Sequence, residues 1–280
     1  MEPTLNRPTL SDLRAVSDLC QRAGLAILEL YAQNSTLPEA RLKSDWTPVT
    51  EADLRSNELL EEGLAAMTPG IPVISEEGGR RNAGGDSGIS LSGLRWVVDP
   101  LDGTKEFLKR TGEFTVNVAL VNDSRVLAGV VHAPVLKRSW FGAIDGALHV
   151  SPGEKRVIRT RPADPSRLSI VASRDHIGPR LEAFVKGNPG AETVRIGSSL
   201  KFCWLAEGRA DVYLRDAPTM EWDTAAAQAV LEAAGGGVFD LRSEPLTYGK
   251  PGLRNPWFLA VGDPSLDWQK LVPAAEETAR

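Results

Sequence analysis

The sequence predicts a fold in two parts, α+β in the first half and α/β in the second. Three observations carry this. Two stretches with helical apolar spacing, 13–31 and 50–67, precede a run of strand-like segments between 73 and 150. From about residue 160 strand-like and helix-like segments alternate, the pattern of an α/β arrangement. The 280 residues suffice for a substantial core, as one large domain or two smaller ones. The expected division is an N-terminal α+β part over 1–155 and a C-terminal α/β part over 156–280.

The first helix is expected after Ser11, placed to cap it, with Leu13, Val16, Cys20, Ala23, Ile27, Leu30 and Tyr31 on its apolar face. Residues 34–49 are polar, hold two prolines and read as a loop. Thr50-Glu51-Ala52-Asp53 has capping-box spacing and opens a second helix through Leu60, Leu64 and Met67, which Pro69-Gly70 ends. A short strand at Val73-Ile74 runs into Ser75-Glu76-Glu77-Gly78-Gly79. Residues 78–94, rich in Gly, Ser and Arg, read as a surface loop too short to link domains. The strand Trp96-Val97-Val98 is expected to end at Asp99, since a residue before proline is driven out of the helical region. Segments 115–121 and 126–131 read as antiparallel strands around an Asn122-Asp123 turn. Segment 138–150 reads as a hairpin with Asp145-Gly146 at its tip. In the second half, strands at 169–172, 193–196, 211–214, 238–239 and 258–261 alternate with three helices. These lie near 179–186, from Ser198-Ser199 to Glu207, and from Asp223 to Ala234, with Gly208 and Gly235 closing the last two.

Composition removes several function classes. A net charge of −5 disfavours non-specific nucleic-acid binding, which needs Lys and Arg to displace counterions, but leaves room for an anionic small substrate. Cys20 and Cys203 are far apart and outside any C-x-x-C spacing, so neither a disulfide framework nor a zinc site is indicated. The N-terminal ten residues lack a signal-peptide pattern, and no apolar run reaches the roughly 18 residues of a membrane span. A cytoplasmic enzyme is expected. Association with the inner membrane surface stays open, as does a monomer or a homodimer.

Four acidic spots stand out: Asp53, Glu76-Glu77, the pair Asp99 and Asp102, and Asp223. Taken alone, three of them are better explained as structure. Asp53 stands at the third position of a helix, Asp223 could cap the alanine-rich helix, and Glu76-Glu77 could be solvated. The pair in Asp99-Pro100-Leu101-Asp102-Gly103-Thr104 resists that reading. An Asx-type turn with Asp102 as a helix cap explains Asp102 and Gly103 but not Asp99. Two acids at a strand end repel unless a cation lies between them, and only Lys105, Lys109 and Arg110 are near in sequence. Hard oxygen donors without His or Cys fit Mg²⁺. Gly103 and Thr104 would open a helix whose free N–H groups suit a phosphate, and the Thr104 hydroxyl could orient water. Other chemistries lack support. Gly88 and Gly93 have Walker spacing, but Leu94-Arg95 follows; there is no G-x-S-x-G elbow, and His132, His149 and His176 are dispersed and read as structural or surface.

Asp99-Pro100-Leu101-Asp102-Gly103-Thr104 resembles the signature of the inositol monophosphatase superfamily of Mg²⁺-dependent, lithium-sensitive phosphatases. Glu76-Glu77 resembles its upstream acidic motif and Trp222-Asp223-Thr224-Ala225-Ala226 its C-terminal one. The resemblance runs from about Lys43 to Phe258. Within that superfamily the chain most resembles the CysQ-type 3′(2′),5′-bisphosphate nucleotidases, through Lys105-Glu106-Phe107, the stretches 112–117 and 197–203, and the stretch 218–223. Inositol phosphatases typically carry Thr-Asn-Phe after the signature. The pattern departs at Asp216-Ala217, where glycine is usual before the proline, and in the glycine-rich loop 78–94.

The resemblance implies a layered α-β-α-β-α sandwich of the inositol monophosphatase/fructose-bisphosphatase type. It implies hydrolysis of 3′-phosphoadenosine 5′-phosphate to AMP and phosphate, a step linked to sulfate assimilation, with two or three Mg²⁺ ions as cofactor. By position, Glu76, Asp99, Asp102, Asp223 and the Leu101 carbonyl would hold metal. Asp53 and Thr104 would orient the attacking water. Gly103 and Thr104 would hold the scissile phosphate. Gly197, Ser198, Lys201 and Asp223 would face the nucleotide, with Lys201 a partner for its second phosphate. Inositol phosphate or fructose 1,6-bisphosphate as substrate is the alternative within this chemistry. A non-catalytic metal- and nucleotide-binding regulator is the alternative outside it.

Overall fold

The computed structural model describes residues 7–33, 41–42, 48–78, 91–174 and 178–272. Most of the loop expected over 34–49, most of the glycine-rich stretch 78–94, and His176 lie outside the described residues. Within the expected loop, β1 (Arg41–Leu42) and β2 (Pro48–Val49) pair antiparallel.

Helix α1 (Arg14–Gln33) buries Val16, Leu19, Cys20, Ala23 and Ile27, the stripe its sequence spacing predicts. Ser11 does not cap it. The Ser11 hydroxyl meets that of Thr9, and Thr9 closes the entering turn by donating from its N–H and hydroxyl to Asp12. Helix α2 (Glu51–Met67) opens on the expected capping box: the Thr50 side chain accepts from the first turn, and the Asp53 carboxylate accepts the Thr50 N–H at 2.8 Å. These helices cover one face of a seven-stranded sheet ordered β3-β4-β5-β6-β7-β8-β9. Its strands are β3 (Val73–Ser75), β4 (Leu94–Asp102), β5 (Thr115–Asn122), β6 (Arg125–Ala133), β7 (Arg138–Ala143), β8 (Gly146–Ser151) and β9 (Glu154–Ile158). The short α3 (Thr104–Leu108) follows β4. Strand β9 was not anticipated. It is an edge strand with one buried residue, Ile158, and its charged run hides the alternation that marks a strand. The β5–β6 turn is centred one residue later than expected, with Asp123 at φ 49°.

The second half follows as α4 (Pro179–Gly187), α5 (Leu200–Ala206) and α6 (Ala225–Ala233) around a five-stranded sheet. That sheet holds β10 (Ser169–Ala172), β11 (Glu192–Arg195), β12 (Val212–Arg215), β13 (Gly237–Asp240) and β14 (Phe258–Val261), in the order β11-β10-β12-β14-β13. It is mixed. β10 runs parallel to β11 and β12, whereas β14 is antiparallel to β12 and β13. Val97, Ala119 and Val131 face the α5–α6 layer, and Trp96, Val98 and Val118 face α1 and α2. Across α5 and α6, Tyr213 and Ala260 present the inner face of the second sheet; its outer face packs Val212 and Leu259 against Leu181 and Phe184 of α4. The layers therefore read α-β-α-β-α. No helix among the described residues is long and apolar enough to cross a membrane, and Cys20 and Cys203 are free and buried.

Strand β4 does not end at Asp99. It continues through Pro100 to Asp102, with Asp99 opposite Asn117 and Asp102 opposite Thr115. Three steps on β4 thus match two on β5, which makes one bulge residue. The bulge accommodates Pro100, which has no N–H to give a ladder, and the Pro100 carbonyl accepts the Ser56 hydroxyl of α2 at 2.7 Å. Residues three apart on a regular strand face opposite sides. The extra residue cancels one alternation, so Asp99 and Asp102 turn toward the same side.

Helix α6 lies close on the sheet because glycines receive it. A Cβ at Gly142 would stand 2.3 Å from the Ala229 carbonyl oxygen, and one at Gly129 2.5 Å from that of Ala226. Gly142→Ala is expected to cost about 1–3 kcal/mol of stability by overpacking, read from urea unfolding; an unchanged midpoint would contradict the close approach.

Candidate active site

Three separate elements bring carboxylates to one point. Glu76 follows β3, Asp99 stands at the β4 bulge, and Asp223 precedes α6. One carboxylate oxygen from each lies within 4.8 Å of the other two. Strands β3 and β4 run parallel, and the Glu76 N–H donates to the Val98 carbonyl at 3.2 Å, which sets Glu76 beside Asp99. The Asp99 Oδ1 accepts the Leu101 N–H at 3.1 Å, and the Asp223 Oδ2 accepts the Met220 N–H at 2.8 Å. Asp223 therefore does not cap α6, whose N-cap Thr224 makes no side-chain cap bond.

Asp102 lies beside this trio rather than within it. Its Oδ2 accepts the Ser199 N–H at 2.6 Å, the Asn117 amide at 3.3 Å and the Thr115 hydroxyl at 3.4 Å. It does not cap α3, whose N-cap is Gly103 at φ 97°. Lys201, from α5, is a cation beside Asp102. Asp53 is bonded through both carboxylate oxygens. Its Oδ2 closes the α2 capping box, and its Oδ1 accepts the Thr104 hydroxyl at 3.2 Å. The Leu101 carbonyl is 3.5 Å from the same hydroxyl.

Burial dominates the electrostatics. It pushes Asp99 well above the usual carboxylate range, and Glu76, Asp102, Asp223 and Asp53 add repulsion. Burial, then Asp102 and Glu76, raise Asp223 to about 8, against the Met220 N–H and Arg215. Burial raises Asp102 to about 6, with Lys201 pulling the other way. Asp53 is raised chiefly by burial, despite its bonds from Thr50. Clustered, desolvated carboxylates with only oxygen donors and no imidazole or thiolate fit a hard divalent cation, which relieves both the repulsion and the desolvation. Glu76, Asp99 and Asp223 are the side chains placed to hold it.

A cavity opens beside the acids. Asp102, Gly103 and Asp223 line it, with Lys105, Glu106, Ser198, Lys201 and Arg215 as further polar groups and Phe202, Tyr213 and Phe258 as rings. Those three rings contact one another with centroids 5.6 to 5.8 Å apart, and the Lys201 ammonium lies 5.3 Å from the centre of the Tyr213 ring. Gly197 does not line this cavity. Its N–H donates to Glu113 at 2.8 Å, and a Cβ there would stand 2.5 Å from the Glu106 side chain. Arg215, Ser173 and Tyr213 were not singled out from sequence. The available signal was position: Ser173 follows β10, and Arg215 ends β12, at the carboxyl ends of strands, where α/β sheets take ligands. Arg215 donates to Ser173 at 3.0 Å and to the carbonyls of Ala217 and Pro218 at 3.2 Å. The departure at Asp216 has a structural use, because its carboxylate accepts the Arg180 and Leu181 N–H groups at the start of α4. His132 and His149 are buried in the first sheet, away from the cavity, as the structural reading predicts.

The inositol monophosphatase family pattern matches residues 10–258, beginning ahead of the stretch the motifs span. The 3′(2′),5′-bisphosphate nucleotidase CysQ of Salmonella typhimurium is 42% identical over 248 residues, covering 88% of this chain and 98% of that protein. The protein of the same name from Escherichia coli K12 is 41% identical over the same shares. The crystal structure of CysQ from Bacteroides thetaiotaomicron superposes with a TM-score of 0.76 at 37% identity, over 90% of this chain and 97% of that one. By the match along its length, the layered fold and these relatives, the chain belongs to the inositol monophosphatase family and, within it, groups with the CysQ proteins.

Proposed function

We propose that this chain is a Mg²⁺-dependent phosphomonoesterase that removes the 3′-phosphate of 3′-phosphoadenosine 5′-phosphate, releasing AMP and phosphate, in the cytoplasm. The observation that carries the reading is a single cavity lined by the carboxylates Asp102 and Asp223 and, close to them, by the cations Lys201 and Arg215. Such a cavity suits an anionic phosphorylated molecule, and its aromatic rings suit a flat base. The 42% identity to a CysQ nucleotidase supports the same substrate.

In this scheme Glu76, Asp99, Asp102, Asp223 and the Leu101 carbonyl hold two or three cations. When bound, these supply Lewis acidity at the phosphoryl oxygens and offset the negative charge that would repel the substrate. The protein's own groups do the rest. The Thr104 hydroxyl donates its hydrogen bond to Asp53, so its oxygen is left to accept a hydrogen bond from the attacking water and orient that water toward phosphorus. The Gly103 and Thr104 N–H groups meet the phosphate. With α3 only 5 residues long, they act as individual donors and not through a helix dipole. The left-handed backbone at Gly103, φ 97°, turns the chain sharply at that point. Lys201 and Arg215 hold the second phosphate, and Ser198 lies beside them.

Phosphate release from 3′-phosphoadenosine 5′-phosphate, inositol 1-phosphate and fructose 1,6-bisphosphate, measured with Mg²⁺, tests the substrate. The nucleotide is expected to lead in kcat/KM by at least about a hundredfold; a faster sugar or inositol phosphate would overturn it. Lys201→Met should raise KM for the bisphosphate about tenfold or more, the worth of a charge-assisted contact. It should leave 3′-AMP, which lacks the 5′-phosphate, nearly unaffected. Equal losses on both substrates would remove Lys201 from the second-phosphate site.

A further inference from the structure

Asp223 reaches the acid cluster from residues 216–224, a stretch outside the regular helices and strands. Its own bond to Met220 is local and cannot fix where that stretch stands. What fixes it is the loop 249–255. The Glu221 N–H donates to the Leu253 carbonyl at 2.8 Å, and the Asn255 N–H to that of Thr219 at 2.9 Å. The Asn255 amide donates to the Met220 carbonyl at 2.7 Å and to the hydroxyls of Thr219 and Thr224 at 3.2 and 3.1 Å. The Glu221 side chain, 1% exposed, takes the Gly249 and Lys250 N–H groups, each at 2.9 Å, and the Lys250 ammonium at 2.8 Å.

The same cluster touches the other element that carries acids. Arg95, fully buried on β4 four residues before Asp99, feels the Glu221 charge. Gly249 at φ 81° sits where these groups meet, and a Cβ there would stand 3.1 Å from the Arg95 Nη2. A buried ion pair is a poor way to gain stability, because desolvation offsets much of the attraction. It is a good way to hold one geometry, since each oxygen of Glu221 is assigned to a donor.

We propose that Glu221, with Lys250 and Asn255, is a positioning group that holds Asp223 at a set distance from Asp99, and thereby sets the affinity for the cation the two share. This rests on the reading of the acid cluster as a divalent-cation site. The test is Mn²⁺ binding to the folded full-length protein, read by electron paramagnetic resonance well below the unfolding temperature, for the wild type, Glu221→Gln and Asn255→Ala. Each variant is expected to weaken binding of one ion by about tenfold or more, the effect of removing a group that orients a ligand. Raised Mg²⁺ should recover the activity lost at low Mg²⁺, which a purely structural defect would not allow. Asn255→Ala leaves the Glu221–Lys250 pair intact, so it carries the test if Glu221→Gln does not fold. Wild-type affinity in either folded variant overturns the clamp alone. A wild-type protein that binds no Mn²⁺ overturns the cation reading, and this inference with it.

Discussion

Asp99→Asn should lower kcat/KM by at least about a thousandfold, about 4 kcal/mol in the barrier, and leave the protein folded. The two halves of that expectation have separate causes. Asp99 is the carboxylate that faces all the others: Glu76, Asp102, Asp223 and Asp53 each act on it. A cation site built around it loses its central charge when the side chain becomes an amide. The fold loses little, because the bond Asp99 makes, accepting the Leu101 N–H at 3.1 Å, is one that the Asn oxygen can also make. The substitution also removes a source of repulsion, so without metal the variant should unfold at the same temperature as the wild type or higher. Circular dichroism melting in a chelator and a phosphate-release assay in Mg²⁺ check both halves. Turnover within about tenfold of wild type would sink the central role of Asp99. A collapse in melting temperature would show that its carboxylate is needed for the fold.

Legibility in the sequence followed locality. The capping box at Thr50 and Asp53 is a four-residue pattern, and it forms as its spacing predicts. The β-rich apolar run of β5 and the apolar stripe of α1 were likewise readable because each element carries its own burial pattern. Asp99 and Asp102 were visible in sequence as an anomaly, but the cause of their pairing was not. The bulge that turns Asp99 and Asp102 the same way exists only relative to β5, since it is a mismatch of three steps against two. Strand β9 was hidden by its charges, which suit an edge and leave no alternation to read. At the site, one cation beside Asp102 comes from far along the chain. Lys201, 99 positions away from Asp102 by their residue numbers, arrives through the stacking of α5 on the first sheet. Arg215 was missed because a basic residue at a strand end carries no pattern of its own. The resemblance to a known family supplied what pattern could not, namely that Glu76, Asp99 and Asp223 belong together, and the geometry brings those three together.

Removing metal should make stability depend on pH with a sign opposite to that of most carboxylate-rich proteins. A buried carboxylate with a raised pKa keeps a proton in the folded state that the unfolded chain gives up. For Asp223, raised from 3.8 to about 8, the folded form is therefore favoured fully below about 4 and loses that advantage as pH rises toward 8. Asp99, also raised, adds in the same direction. Each carboxylate in this state contributes a slope of about 1.4 kcal/mol per pH unit. His132 opposes the trend in the acid range, because burial lowers it from 6.5 to about 4, so its contribution is lost as pH falls through that interval. Above 6.5 His132 is neutral in both states, and Asp102, at about 6, has already ionised. The window from 6.5 to 8 is therefore the one in which Asp223 acts, with the other carboxylates that burial raises, Asp99 and Asp53, acting in the same direction. Urea unfolding in a chelator should show stability falling across that window. Millimolar Mg²⁺ should flatten or reverse the slope, since a cation that binds only the folded state favours the ionised carboxylates. Asp223→Asn should flatten the slope without any metal. Stability that rises with pH in the chelator, or a slope that Asp223→Asn leaves intact, would mean that the acids at this point are not the buried, mutually repelling set from which the cation site is inferred.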